Sequence, residues 1–499
     1  MAAITVTHLS FTHDGGSAPV FEDLSLTLDT SWRLGLVGRN GRGKTTLLRL
    51  LAGELTGRGR ILAPLPFVLF PGPIPADGAA AGAVFQGLDG ADWQIERELR
   101  LLGLSPSLLE RPWATLSGGQ QTRLQLAALF LREGAYPLID EPTNHLDREG
   151  RQLVATYLSQ KPGFLLVSHD RSFLTDCTDH ILSLGREEVT VTGGGFPAWW
   201  REYQRREARE RAEQARLQKE IGRLEAAARQ TTQWSARTES GKYGRTESGL
   251  KADRGYVGHK SAKLMKRAKG IEARRQRAAE EKAGLLRETE KTEALLLHPL
   301  TFQGGPIARL EGVSVCYGAV QTPPADLVIE SGQRIALTGG NGVGKSSLLR
   351  LLAGEPLSIV GRHEQSRRAV VSYLPQGISH LRGSPADFAA AEGLELTRFF
   401  TILRKMDFSR EAFTRPMEQF SDGQRKKVLL AASLATDAHL YLWDEPLNYI
   451  DLFSRIQIER LLEEASPTLV FVEHDAAFVD KIATHRVTVG GSDCRKTPV

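Results

Sequence analysis

At 499 residues, with 41% hydrophobic and 25% charged side chains, the chain is long enough for two or more domains with cores of their own. No apolar run approaches the ~18 residues of a membrane-spanning helix, Met1-Ala2-Ala3-Ile4-Thr5-Val6 predicts no signal peptide, and the scattered Cys177, Cys316 and Cys494 argue against a disulfide framework, so a reducing cytoplasmic setting is expected. The net charge of +5 is unevenly placed: residues 201–300 hold 25 Lys+Arg against 15 Asp+Glu, a net of +10, so the remainder sums to −5.

In chain order, a strand is predicted over Ile4–Leu9 and a buried parallel strand over Leu34–Val37. The turn Gly38-Arg39-Asn40-Gly41-Arg42-Gly43-Lys44-Thr45-Thr46 follows, then a helix over Thr46–Leu51 ending near Gly53. Further on come Leu116-Ser117-Gly118-Gly119-Gln120, the strand Tyr136–Asp140 with Glu141 behind it, and the strand Phe164–Val167 before Ser168-His169-Asp170. Residues 197–234 and 259–297 are rich in Ala, Arg, Lys, Glu and Leu and predict two long helices, separated by Gly241, Gly244, Gly249, Gly255 and Gly258. That is an antiparallel hairpin, each arm roughly 57 Å long at 1.5 Å per residue.

The first pattern then recurs. Strands at Ala308–Val313 and Ile335–Thr338 lead to Gly339-Gly340-Asn341-Gly342-Val343-Gly344-Lys345-Ser346-Ser347 and a helix ending near Gly354. Phe420-Ser421-Asp422-Gly423-Gln424, the strand Leu440–Asp444 with Glu445, and Leu469–Val472 before Glu473-His474-Asp475 complete the set. The offset is 301 between the lysines (44 and 345), 304 between the serines (117 and 421), 304 between the glutamates (141 and 445) and 305 between the histidines (169 and 474). So constant an offset marks a duplicated domain. The expected organisation is a first domain over 1–195, a linker over 196–303 and a second domain over 304–499, each domain an α/β parallel sheet.

A strand, a Gly-rich turn and a helix make a phosphate-binding loop, with backbone N–H groups and the helix N-terminus turned toward phosphate. Gly38, Asn40, Gly41, Gly43 and Thr46, and in the second copy Gly339, Asn341, Gly342, Gly344 and Ser347, are the expected loop contacts. Lys44 and Lys345 suit the β and γ phosphates, Thr45 and Ser346 suit Mg²⁺, and Asp140 and Asp444 at strand ends suit the same ion. Glu141 and Glu445 are placed to orient or deprotonate an attacking water, and His169 and His474 to sense the γ phosphate. A lone histidine is more often structural; the ordered set of motifs favours function here.

Leu-Ser-Gly-Gly-Gln (116–120) ahead of Asp-Glu-Pro-Thr-Asn-His-Leu-Asp (140–147) resembles the signature of ATP-binding-cassette ATPases, and a duplicated cassette with a charged helical linker resembles their ABC-F subfamily. The resemblance implies two tandem cassettes without a transmembrane partner, working as a monomer on ATP and Mg²⁺, with the cassettes paired head to tail. Ser117, Gly118, Gly119 and Gln120 would then face ATP held by Lys345, and Ser421, Gly423 and Gln424 would face ATP held by Lys44. Asp444-Glu445-Pro446-Leu447-Asn448-Tyr449-Ile450-Asp451 and residues 256–269 resemble members that protect ribosomes from lincosamides, streptogramin A and pleuromutilins. By that likeness the chain would enter the tRNA exit site, meet 23S rRNA and peptidyl tRNA, and either displace antibiotic or relieve stalled translation.

Three departures fall on one composite site. The resemblance implies a Gln that helps coordinate Mg²⁺, which would be Gln376 in the second copy, but Gly72 stands at the matching place in the first. The aromatic that the resemblance implies would stack on adenine is Tyr317, aligned with His13, and the signature that would face Lys44 is the altered Phe-Ser-Asp-Gly-Gln. The Lys44/Ser421 site is therefore expected to turn over more slowly than the Lys345/Ser117 site.

Charge runs on long helices are usually solvated faces. This one is one-signed, with 14 basic and 4 acidic residues over 229–277. Aromatic side chains interleave it, as in nucleic-acid contacts. Expected RNA contacts are Trp234, Lys242, Tyr243, Arg245, Tyr256, Lys260, Lys263, Lys266, Arg267 and Lys269. A fused ATPase subunit of a membrane importer is the rival class; it has no use for such a linker, and 73 residues from Lys44 to Ser117 are few for its helical subdomain.

Overall fold

The structure is a computed structural model and describes residues 2–13, 19–76, 78–88, 91–144, 146–185, 189–240, 295–318, 320–340, 342–408, 410–490 and 497–498. The first half runs β1 (Ala3–Phe11), β2 (Phe21–Asp29), β3 (Arg33–Gly38), α1 (Lys44–Leu51), β4 (Arg58–Leu62), β5 (Phe67–Phe70), α2 (Asp92–Leu101), α3 (Gly118–Phe130), β6 (Tyr136–Asp140), α4 (Arg148–Ser159), β7 (Phe164–Val167), α5 (Arg171–Cys177), β8 (His180–Leu184) and β9 (Val189–Gly193). Helix α6 (Gly195–Ser240) follows. The second half runs β10 (Ala308–Tyr317), β11 (Val320–Gln321), β12 (Ala325–Ile329), β13 (Arg334–Thr338), α7 (Lys345–Leu352), β14 (Ser358–Gln365), β15 (Val371–Leu374), α8 (Pro385–Ala391), α9 (Leu396–Lys405), α10 (Asp422–Ala435), β16 (Leu440–Asp444), α11 (Leu452–Ala465), β17 (Leu469–Val472), α12 (Ala476–Ile482), β18 (His485–Thr488) and β19 (Thr497–Pro498).

Each half is built on a six-stranded sheet, ordered β5-β6-β7-β3-β8-β9 and β15-β16-β17-β13-β18-β19, parallel except for the last strand of each. Strands β3 and β13 lie between parallel neighbours, and both their faces are covered: the successive residues Leu36 and Val37, and Ala336 and Leu337, which point to opposite faces, are all at most 1% exposed. A smaller antiparallel sheet, β2-β1-β4 or β12-β10-β14, covers α1 or α7. Both phosphate-binding turns, Asp140, Asp444 and the residues before the histidines therefore emerge at the carboxyl edges of adjacent parallel strands, where α/β sheets hold ligands.

Capping explains where the signature helices begin. Ser117 accepts from Gln120 N at 3.3 Å while Gln120 Oε1 accepts from Ser117 N at 3.0 Å, and Ser421 with Gln424 repeats the pair at the same distances. The two halves form one compact unit, Met1–Trp199 with Ala294–Val499, while Trp200–Glu293 form another. Across the halves, Arg171 grips Glu459 (2.6 and 3.2 Å), Arg39 pairs with Asp407, and Trp199 meets Phe453 edge-on at 6.2 Å.

The first linker helix is longer than predicted at both ends, 195–240 against 197–234. The second differs at its far end. Residues 295–300 form no helix, with Leu295 and Leu297 buried in the second core and Leu296 between them 59% exposed. A helix cannot bury alternate residues this way; a strand-like segment can. The rest of that predicted helix and the glycine-rich tip lie outside the described residues. No helix among the described residues is long and apolar enough to cross a membrane.

Candidate functional site

Both Gly-rich turns fold alike because glycine is needed at their last position. Gly43 and Gly344 cap α1 and α7 with φ of 85° and 98°, and a Cβ on either would lie 2.5 Å from Val20 or Thr322. Lys44 Nζ donates to Gly38 O (2.7 Å), Arg39 O (3.2 Å) and Asn40 Oδ1 (3.4 Å); Lys345 Nζ donates to Gly339 O (2.9 Å) and Gly340 O (2.8 Å). Burial lowers both lysines, opposed by Asp451 and Glu141 at Lys44 and by Glu445 and Asp444 at Lys345. The Thr45 hydroxyl donates to Asp140 Oδ2 at 2.8 Å, and Ser346 bonds Asp444 likewise. Asn341 lies outside the described residues.

The second copy's turn opens on a cavity of 660 Å³ lined by both halves. Gly342, Gly344, Lys345, Ser346, Ser347, Tyr317, Gln376, Glu445 and His474 face Ser117, Gly118, Gly119 and Asp147 across it. Head-to-tail pairing thus brings one half's phosphate loop to the other's signature. Gln120 does not line the cavity; its side chain is the cap described above. Tyr317, 45% exposed, donates its hydroxyl to Ser347 Oγ at 3.0 Å.

On the other side Asn40 Nδ2 donates to Tyr449 O at 3.1 Å, and a Cβ on Gly423 would lie 2.9 Å from that same amide. The first turn therefore touches the second half's signature helix directly. Thr46 lies 3.3 Å from His13 Nε2, the counterpart of the Ser347–Tyr317 bond, and His13 packs edge-on against Phe11. Ser421 and Gln424 form the second cap, and Gly41 holds φ 82°.

The two glutamates differ in their surroundings. Both adopt left-handed backbone, φ 48° at Glu141 and 47° at Glu445. Burial, with help from the neighbouring Asp140, pushes Glu141 up to about 8; His169 Nε2 stands 3.3 Å away without hydrogen-bond alignment. Burial also raises Glu445, but bonds from His474 and Gln376 outweigh it and hold the carboxyl below its usual range. At Gly72 no side chain can make the bond that Gln376 makes. Burial likewise raises both strand-end aspartates, Asp140 and Asp444.

No group of three or more His, Cys, Asp and Glu among the described residues could hold a metal unaided. The residues present nevertheless fit Mg²⁺. Asp444 Oδ1 is buried without a hydrogen-bond partner beside the Ser346 hydroxyl, and Mg²⁺ takes one or two protein ligands with water and phosphate oxygens completing its shell.

Residues that the motif reading passed over join the site. Asp147 and Asp451, each seven positions after a strand-end aspartate, cap α4 and α11 and face the opposite half's lysine, Lys345 and Lys44. The repeated spacing was the available signal. Glu473 accepts from Leu447 N and His474 N, both at 2.8 Å, where the first copy has Ser168. Trp234 lies on α6, with its side chain undescribed, and Lys242, Tyr243, Arg245, Tyr256, Lys260, Lys263, Lys266, Arg267 and Lys269 lie outside the described residues.

The ABC transporter family profile matches residues 21–144 and 323–448. The chain is 28% identical to the ATP-binding protein Uup of Caulobacter vibrioides, over 95% of this chain and 76% of that one. It is 26% identical to the ribosome protection protein VmlR of Bacillus subtilis, over 99% and 88%. In fold it is similar to the archaeal ribosome recycling factor aABCE1, solved with the stalk protein aP1, at a TM-score of 0.60, 20% identity and coverage of 97% and 88%.

Proposed function

The chain belongs to the ABC transporter family, as a doubled ATP-binding cassette of the ABC-F kind and an ATPase, and from that premise we propose that it is a cytoplasmic ribosome-binding translation factor that protects the peptidyl-transferase centre from antibiotics. The observation that carries this reading is the cavity shared by the two halves: closing on ATP joins them, and hydrolysis lets them part. Such a clamp needs a target. The net charge of +10 over residues 201–300 supports RNA, met in the tRNA exit site as 23S rRNA and peptidyl tRNA.

Within the Lys345/Ser117 site, Lys345 and the loop N–H groups would hold the β and γ phosphates, and Ser117 would close over them from the other half. Glu445, kept ionised by His474 and Gln376, is suited to accept the proton of an attacking water. Ser346, Asp444 and Gln376 would hold Mg²⁺, which would supply charge neutralisation on the phosphates. The Lys44/Ser421 site has Thr45 and Asp140 for the same ion but no counterpart of Gln376, and its Glu141 is protonated near neutrality. It is the slower of the two.

The test is ribosome pelleting with Glu141→Gln/Glu445→Gln, paired with expression in a sensitive strain lacking its own homologue. Co-sedimentation with ATP, and raised inhibitory concentrations for lincosamides, streptogramin A and pleuromutilins, are expected. Unchanged inhibitory concentrations with co-sedimentation intact refute protection and leave a housekeeping factor that relieves stalled translation. Co-purification with membranes instead of ribosomes overturns both.

A further inference from the structure

The sequence places two adjacent lysines, Lys426 and Lys427, in the second turn of α10, and both are buried, at 1% and 3% exposed. Lysine is rarely enclosed so completely without a purpose or a counter-charge. Lys427 has the counter-charge: its Nζ lies 2.9 Å from Asp451, the aspartate that faces Lys44, and it also donates to Met406 O at 3.0 Å. Among the described residues Lys426 has none within ion-pair reach, and Asp444, Glu473 and Glu445 act on it only from farther away. Its ammonium instead donates to three carbonyl oxygens, Pro375 O at 2.9 Å, Asp444 O at 3.2 Å and Gln376 O at 3.5 Å, which uses its whole donor capacity.

Those carbonyls belong to the Lys345 site. Gln376 bonds Glu445, and the Asp444 carbonyl opens the peptide that leads into Glu445, the residue held at φ 47°. Meanwhile the first turn of the same helix belongs to the Lys44 site, through Ser421 and through Gly423 against Asn40. One rigid helix therefore has its cap in one ATP site and its second turn under the other, about 7 Å along the axis at 1.5 Å per residue.

We propose that Lys426 is a positioning residue that couples the two ATP sites, carrying any shift of the Ser421 end of α10 into the backbone that holds Gln376 and Glu445. The aligned residue in the first half is Thr122, a short uncharged side chain that cannot span to three carbonyls. The device exists in one half only. Affinity coupling is nevertheless reciprocal: nucleotide at either site changes the affinity of the other by one factor.

The proposal rests on the reading of Lys44 and Lys345 as nucleotide-binding. Both are tested by photolabelling the full chain with 8-azido-ATP and Mg²⁺, reading each site from its own proteolytic peptide. Emptying the first site with Lys44→Ala is expected to raise the half-saturating concentration at the second-half peptide about fivefold or more, within the usual range of coupling. In Lys426→Met the same Lys44→Ala change is expected to move it less than about twofold. Lys426→Thr, carrying the residue that the first half folds with, gives the same readout should Met destabilise the core. A merely structural lysine would shift both peptides together and leave their dependence on each other intact. Retained coupling in Lys426→Met or Lys426→Thr overturns the proposal alone. First-half labelling that survives Lys44→Ala overturns the site reading beneath it.

Discussion

Arg171 and Glu459 join the halves at a largely desolvated position, with 14% and 2% side-chain exposure. The guanidinium meets both carboxylate oxygens, at 2.6 and 3.2 Å, in the bidentate geometry that suits arginine. At an effective dielectric constant near 20 the pair is worth roughly 6 kcal/mol of gross attraction. Desolvation offsets much of that, but removing one partner leaves the other buried. Lys481, 3.2 Å from Glu459, softens the loss. Arg171→Met should therefore cost about 2–4 kcal/mol, below the figure for an entirely stranded charge. Urea unfolding of wild type, Arg171→Met, Glu459→Gln and the double variant forms a cycle, with a coupling of about 1–3 kcal/mol expected. A coupling within about 0.3 kcal/mol of zero would refute the reasoning, because the pair would then be decorative in the docking of the halves.

Three further outcomes are expected. Glu445→Gln should lower ATP turnover about tenfold or more and Glu141→Gln less than about twofold, since only one glutamate is held as an ionised base; equal losses would disprove the asymmetry. Gly43→Ala should abolish nucleotide labelling of the first-half peptide, because the added carbon meets Val20 in a backbone that favours glycine; unimpaired labelling would show that the turn yields. Glu98 is 1% exposed, and although burial raises it, bonds from Lys161, Tyr157 and Arg97 hold it below the usual carboxyl range. A lowered carboxyl contributes stability above its unfolded value, about 4.3, which is lost as pH falls through the folded one. Glu98→Gln should thus lower the melting temperature by about 3 °C at pH 7 and by less at pH 3, and a loss equal at both would contradict the ion-pair account.

Much of the fold could be read because duplication repeats its own signals. The strands Tyr136–Asp140, Phe164–Val167, Leu440–Asp444 and Leu469–Val472 end where their apolar runs end, since a buried parallel strand must be apolar on both faces. Leu295–Leu297 misled for the opposite reason: a short apolar run following a helical stretch has no period of its own, and burial against the second core decides its conformation. Lys426 and Lys427 were illegible because lysine reads as surface, and only tertiary placement reveals carbonyls or a carboxylate waiting for it. His13 is a case between these. Its alignment with Tyr317 could be read, whereas its bond to Thr46 depends on the depth at which β1 lays it beside α1.

The left-handed backbone of Glu141 and Glu445 bears on how such an ATPase could be made sturdier. A side chain in that region costs about 1 kcal/mol, and asparagine or glycine tolerates it better than glutamate or glutamine. Glu445→Gln silences chemistry while leaving the cost in place; Glu445→Asn silences it and removes part of the cost. A hydrolysis-dead chain with Asn at both positions should melt above its Gln counterpart, and would be the better choice for long preparations. Selection for heat tolerance alone would drift toward it and away from activity.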